Sequence, residues 1–297
     1  MKRLFFFPVI ILLIFTSCTH TSPFVRERYV EAFGSDGEIV VSISPDKASK
    51  IVDLSSLSTG AFASLLSRID RLSVALYEND ESVPNDFTSY SFYGGIEGNI
   101  PSFLTNTALL YSKEWSKVEN ETTRYYHNDY LGLDVFSPKS GLLLFASDEY
   151  MKSYTTTYKE RTKKIAKGLA DRLSSSSFGF YISQPETMIN IGIEIPESVL
   201  AKTLSILLVI EENDENKSVL GGTFTMESEK LASSLSILLK SSYISNKRRN
   251  KEPLGELQGL FVLDKNMVII NNMSLSDEQL LGITSLFSSL TSVVTGE

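Results

Sequence analysis

The chain has 297 residues, 28 of them basic and 36 acidic, for a formal net charge of −8 with 42% hydrophobic residues. That balance disfavours nucleic acid as a partner, because holding phosphates takes basic surface. One cysteine excludes an internal disulfide, and two histidines beside that single cysteine exclude a His/Cys metal cluster.

The chain opens MKRLFFFPVIILLIFTSC. Lys2 and Arg3, an apolar run from Leu4 to Phe15, and then Thr16 and Ser17 make the charged start, short apolar core and small-residue cleavage site of a secretory signal over residues 1–17. The run is shorter than the about 20 residues a helix needs to cross a bilayer, so an uncleaved anchor is the weaker reading. Phe15-Thr16-Ser17-Cys18 resembles the lipobox of bacterial lipoproteins, with Phe15 where Leu is usual. The resemblance covers the first 18 residues. It implies that Cys18 carries a diacylglycerol and an acyl chain such as palmitate, two signals being what stable anchoring requires. The competing reading makes Cys18 a chance small residue beside a signal-peptidase site. Lipidation would place the protein in the bacterial cell envelope, facing the periplasm or the exterior. Thr19 stands where some lipoproteins carry the Asp that keeps them at the inner membrane, which favours the outer membrane. Cleavage removes Lys2 and Arg3 and no acid, leaving a net charge of −10.

Residues 18–37 read as a lipidated N-terminus and tether, and two similar series of elements follow, over 38–172 and 173–297. Each opens with a strand closed by Ser, Pro and an acid: Val40–Ser44 with Pro45 and Asp46, then Phe180–Ser183 with Pro185 and Glu186. An apolar strand then enters an acidic ENDE turn, Leu72–Tyr77 before Glu78–Glu81 and Leu204–Ile210 before Glu212–Glu215. Glycine pairs follow in a second strand, Gly94-Gly95 and Gly221-Gly222. Next come amphipathic helices, with Leu104, Thr107, Ala108 and Tyr111 expected on one buried stripe and Leu231, Ala232, Leu235, Leu238 and Leu239 on the other. Each series closes on a hairpin and a final helix: Leu131–Phe136 and Leu142–Ala146 before Asp148, then Leu257–Leu263 and Met267–Ile270 before Ser276 and Gln279, a capping box. Offsets between matched landmarks run from 127 to 139 residues, the drift that loop insertions produce. The expectation is an α+β fold of two tandem related units, each β-α-β-β-α-β-β-α, an antiparallel sheet with helices packed on one face. Lys159–Arg172 reads as a basic helix end, and the serines up to Ser177 as a joint between the units.

As a metal loop, ENDE lacks the glycine and the spaced acids that calcium coordination needs. As a hairpin connection, its Asn and Asp supply the turn geometry. Among catalytic motifs, no nucleophile elbow, Walker loop or zinc-binding HExxH is present, and no cofactor or metal site is expected. His20 lies in the tether. Tyr125, Tyr126, His127 and Tyr130, near Arg124 and Asp129, form the one cluster that suggests a stacking surface for a ligand or acid–base work. The plainer reading is an edge strand followed by a His-Asn-Asp turn, whose alternating side chains cannot all line one pocket. Lys247, Arg248, Arg249 and Lys251 are expected in a loop, where they would meet anionic head groups or only solvent.

These features point to a non-enzymatic, lipid-anchored envelope protein that binds or scaffolds an unknown envelope protein. The alternative is a carrier of an apolar ligand, a lipid or acyl chain, in a groove between the units. A hydrolase built from carboxylates alone is a third possibility that chance acid pairs leave open.

Overall fold

The computed structural model describes residues 39–49, 68–77, 91–119, 124–147, 151–152, 167–183, 185, 196–213, 217–251, 253–254 and 257–275. The signal segment, Cys18, the tether, the first ENDE and the Ser276–Gln279 box lie outside them. The described strands are β1 (Ile39–Ile43), β2 (Ile69–Tyr77), β3 (Ser91–Gly98), β4 (Ser116–Glu119), β5 (Arg124–Asn128) and β6 (Leu133–Lys139). They continue with β7 (Leu142–Ser147), β8 (Phe178–Ser183), β9 (Thr203–Glu212), β10 (Ser218–Met226), β11 (Phe261–Asp264) and β12 (Met267–Ser274). The described helices are α1 (Pro45–Ala48), α2 (Ser102–Tyr111), α3 (Lys167–Ser175), α4 (Glu197–Leu200) and α5 (Glu229–Arg249).

The fold is α+β, and the twelve described strands make one antiparallel sheet in the order β11-β12-β10-β9-β8-β1-β2-β3-β7-β6-β5-β4. At the middle β1 pairs with β8, Ile39 opposite Ile182 and Ile43 opposite Phe178. Local hairpins explain most of the remaining pairs. β9 and β10 close through Asn213, whose N–H donates to the Lys217 carbonyl at 2.9 Å while its side chain accepts from the Lys217 N–H at 2.9 Å. Asn213 of the second ENDE thus lies in the connection between β9 and β10, as its turn chemistry suggested, while Asp214 and Glu215 lie outside the described residues.

Helices cover both faces of the sheet, not one. On one face Val41, Val74, Phe145, Phe180 and Leu208 pack with Ala48 of α1, Leu200 of α4, and Ala232, Leu235 and Leu239 of α5. On the other, Val40, Ala75, Leu144 and Val209 pack with Ala170 and Leu173 of α3. The reason lies in the strands themselves. β1 (IVVSI) is buried at every position, and β9 carries an unbroken buried run from Ile206 to Ile210. Strands apolar on both sides need cover on both sides.

Two helical stripes differ from expectation. No residue of α2 is buried, and Leu104 and Tyr111 are 55% and 80% exposed. Its inward side carries Ser102, Thr105, Asn106 and Leu109, the i, i+3, i+4, i+7 set rotated away from the leucine-rich one. Asn106 is the docking point: its side-chain amide donates to the Ser137 carbonyl at 2.9 Å and accepts from the Ser137 N–H at 3.3 Å. In α5, Ser228 caps the first turn by accepting from the Leu231 N–H, and Leu235 and Leu239 are buried as expected. Leu238 is 42% exposed instead. At 100° per residue it sits about 60° from Leu235, on the flank where Leu231 is already only half-buried.

The serine joint is not loose. Ser176 and Ser177 are buried, the Ser177 N–H donates to the Ile210 carbonyl, and its own carbonyl accepts from the Ser44 N–H, each at 3.0 Å. Between α2 and β6 lies a hairpin, β4–β5, that the sequence series did not contain.

Candidate functional site

The ring cluster falls on β5, one strand in from the sheet edge. Its residues alternate. Tyr125 and His127 share one face, while Arg124, Tyr126 and Asn128 share the other. Tyr126 is fully buried, and its hydroxyl accepts from Arg124 Nη2 at 3.2 Å, which raises the Arg124 pKa further. Asn128 is buried too, and its side chain accepts from the Leu131 N–H at 3.0 Å to close the turn into β6. Gly132 takes the left-handed conformation there, at φ 58°. Tyr130, at the tip, is 95% exposed. The four proposed ligand residues therefore do not converge: Tyr126 lies beneath the sheet, Tyr130 stands in solvent, and only Tyr125 and His127 share a surface. The His-Asn pair expected in the turn belongs to the strand.

His127 has the most developed environment. Its cross-strand partner on β6 is Asp134, nine-tenths or more buried, whose Oδ1 lies 2.7 Å from His127 Nδ1. Asp129 Oδ1 lies 3.2 Å from Nε2 on the outer side, and the imidazole is 32% exposed. On β4 the partner is Ser116. Ser116, His127 and Asp134 thus stand in a row across three strands, in the order of a nucleophile–base–acid relay. The contacts do not make one. Ser116 Oγ donates to the His127 backbone carbonyl at 3.4 Å, and Nε2, which would activate a nucleophile, faces Asp129. Nearby, Lys117 bonds Glu119, and that bond, with the Lys117 and Arg124 charges, holds the Glu119 carboxyl below its usual range.

Lys247, Arg248 and Arg249 form the last turn of α5 rather than a loop, and Lys251 follows at φ 56°. Cations there offset the negative end of the helix dipole. Lys247 also lies over the Tyr243 ring, 5.7 Å from its centre. Their position has a local electrostatic reason that the sequence reading lacked.

The sheet centre holds charges that the sequence reading missed. Arg71 on β2 is fully buried, and its Nη1 donates to Ser42 Oγ at 2.9 Å and to the Leu173 carbonyl at 3.0 Å. Its Nη2 donates to the Ser176 carbonyl at 2.8 Å. Those carbonyls lie at the C-terminal end of α3, where a cation complements the dipole. Opposite Arg71 in register is Glu97 of β3, itself buried. A charge of each sign inside neighbouring apolar strands, Arg71 in IDRLSVALY and Glu97 in SFYGGIEG, was the legible clue.

Among the described residues, no group of three or more His, Cys, Asp or Glu is placed to hold a metal ion. Nor is any helix among them long and apolar enough to cross a membrane. No protein-family model matches the chain, and no curated protein sequence matches it. Solved structures do share the fold. Crystal form I of TP0453 aligns with a TM-score of 0.52 at 13% identity, over 90% of this chain and 98% of that one. Crystal form III of TP0453 gives 0.51 at 15%, over 91% and 99%. At that identity the likeness is one of fold.

Proposed function

We propose that this chain is a lipid-anchored protein of the bacterial envelope that binds or scaffolds another envelope component and catalyses no reaction. One observation carries the reading: an apolar export segment ending in Thr16, Ser17 and the only cysteine of the chain, Cys18. The site geometry supports binding over catalysis. His127 is engaged by Asp134 and Asp129, and the Arg71 guanidinium serves helix carbonyls and Ser42. These are structural employments for the groups best suited to chemistry. Thr19 favours the outer membrane. The basic end of α5 is a second, electrostatic contact with anionic head groups, each cation near a charged surface being worth about 1 kcal/mol.

We also read the body as two related units, 38–172 and 173–297. Strand order supports this. Outward from the β1–β8 seam, one side runs β1-β2-β3-β7-β6 and the other β8-β9-β10-β12-β11, with β4–β5 an addition at the far edge of the first. Gly94 on β3 pairs with Phe145 and Gly222 on β10 pairs with Ile270, so face-matching aligns Gly94 with Gly222 rather than Gly221. The direct β1–β8 pairing leaves no gap between units at the level of the sheet. An apolar ligand carrier would have to use a sheet face, and the binding or scaffold reading is preferred for that reason.

The test is metabolic labelling of wild type and Cys18→Ala with a tagged fatty acid, followed by membrane fractionation. Wild type should label and sediment with membranes, and Cys18→Ala should remain an unlabelled precursor. Equal labelling of the two would end the anchoring reading.

A further inference from the structure

The two outer edges of the sheet are made differently. Outward from the β1–β8 seam, β6 and β11 hold matched places, but β5 lies against β6 while no described strand lies against β11. β11 and β12 join through Lys265 and Asn266, so Asp264 and Met267 close the hairpin as a hydrogen-bonded pair, and Val262 with Ile269 is the next. Leu260 keeps the alternation, its carbonyl accepting from the Asn271 N–H at 2.9 Å. The N–H and carbonyl groups of Phe261 and Leu263 therefore point away from β12, into the open edge. Apolar side chains reach that rim. Val262 is 38% exposed beside Ile269 on one face, and Leu263 is 47% exposed beside the buried Val268 on the other. The opposite edge is guarded: on β4, Lys117 and Glu119 bond each other, and charged side chains keep a sheet edge from being extended. β11 carries no charge before Asp264, at its hairpin end.

From this asymmetry we infer that β11 is a self-pairing edge: two copies of the chain join their sheets through β11, antiparallel about a two-fold axis at Val262. Backbone chemistry sets the register. The pairing that uses every outward group places Phe261 opposite Leu263 of the second copy, and Leu263 opposite its Phe261. Val262 then meets its own counterpart as a non-hydrogen-bonded pair on one face. On the other face Leu263 packs beside Phe261 of the second copy, so the side chains left at the rim of one chain are covered by the next. Asp264 falls opposite Leu260, and no like charges meet. Three residue pairs result, as many as join β5 to β6 at the matched place. A head-to-tail join of β11 with β4 would bring Lys117 and Glu119 against an apolar strand and would continue without end, whereas the two-fold join closes. Joining does not depend on lipid attachment, and the test keeps the two apart.

The test uses the full chain in detergent, with single cysteines added and copper–phenanthroline as oxidant. Cβ atoms of a non-hydrogen-bonded pair lie about 5 Å apart, near the about 4 Å that a disulfide takes, so Val262→Cys should cross-link into dimers. Leu263→Cys, whose counterpart lies on the diagonal about 7–8 Å away, should not. Neither should Ser116→Cys, an exposed position on the guarded edge. The parent chain has Cys18 as its one thiol, and any dimer formed through it appears in every chain alike. Leu263→Lys removes both Leu263–Phe261 cross-strand pairs and should weaken the dimer about tenfold in light scattering. Leu263 is half-exposed, so this variant leaves the core intact, and an unchanged thermal unfolding midpoint confirms it. A monomeric mass for the parent chain would overturn the join. So would a Leu263→Lys chain that dimerises as well as the parent, or equal cross-linking of Ser116→Cys and Val262→Cys. In whole membranes, cross-linking of Val262→Cys to a different protein instead of a second copy would overturn it too.

Discussion

Arg71 and Glu97 stand opposite each other on β2 and β3, charges of opposite sign on one face of the sheet, both sealed from solvent. The arrangement ties the sheet to α3, since the same guanidinium reaches the Leu173 and Ser176 carbonyls. Arg71→Met should cost about 1–3 kcal/mol in denaturant unfolding, because Ser42 Oγ and the Leu173 and Ser176 carbonyls each lose a buried charged donor. Arg71→Met with Glu97→Gln should recover part of that loss, the two residues being coupled neighbours. Strict additivity of the two would show that they do not interact.

Gly94 and Gly132 should respond differently to alanine. A Cβ at Gly94 would lie 2.4 Å from Phe145 Cζ and 2.5 Å from the Ser73 carbonyl oxygen. Gly94→Ala must displace backbone, and an overpacking loss of about 1–3 kcal/mol or more is expected. At Gly132 there is space, but φ is 58°, so Gly132→Ala should lose only about 1 kcal/mol, from its left-handed conformation. Thermal unfolding of the two variants checks the order.

The two amphipathic helices make a matched pair of tests. Leu235→Ala in α5 empties a buried position and should destabilise by about 2–5 kcal/mol. Leu104→Ser in α2 alters an exposed position and should fall within about 0.5 kcal/mol of wild type. Asn106→Ala should cost more than Leu104→Ser, because the Ser137 backbone loses both of its partners in that side chain.

Glu119 predicts a pH effect. Its carboxyl is held below the usual range by Lys117, so its contribution to stability is complete above the unfolded-state value and disappears as pH falls through the lower folded-state value. Wild type should therefore lose more stability than Glu119→Gln across that acidic window. Parallel curves for the two chains would show that Glu119 plays no part.

How far the fold could be read from the sequence depended on what each residue had to reveal. Strand positions were legible because runs such as LSVALY and LSILLVI admit few alternatives, and the part Asn213 plays after β9 follows from local chemistry. The covering of both faces was legible too, in principle. Val40, Val41, Ile206, Leu207 and Leu208 are consecutive apolar residues, which a strand with one wet face would not carry. What could not be read was the rotation of α2. Its leucines and its Ser102–Asn106–Leu109 face have the same spacing, and one side-chain amide meeting Ser137 decides between them. The His127 contacts were hidden for a similar reason. Asp134 is seven residues away in sequence but adjacent across the strands, and only the β5–β6 register shows it.

The central position of β1 has a consequence for the chain's birth. One neighbour of β1 is made soon after it, but the other is not: Ile39 waits for Ile182 before that side of the strand is occupied. During synthesis or export the first half must therefore travel with an open edge on a largely apolar strand, a form prone to join any other strand it meets. Such long-range closure also slows folding. A nascent chain halted before Phe178 should aggregate far more readily than one halted after Ser183, and holding chaperones would be needed most in that interval.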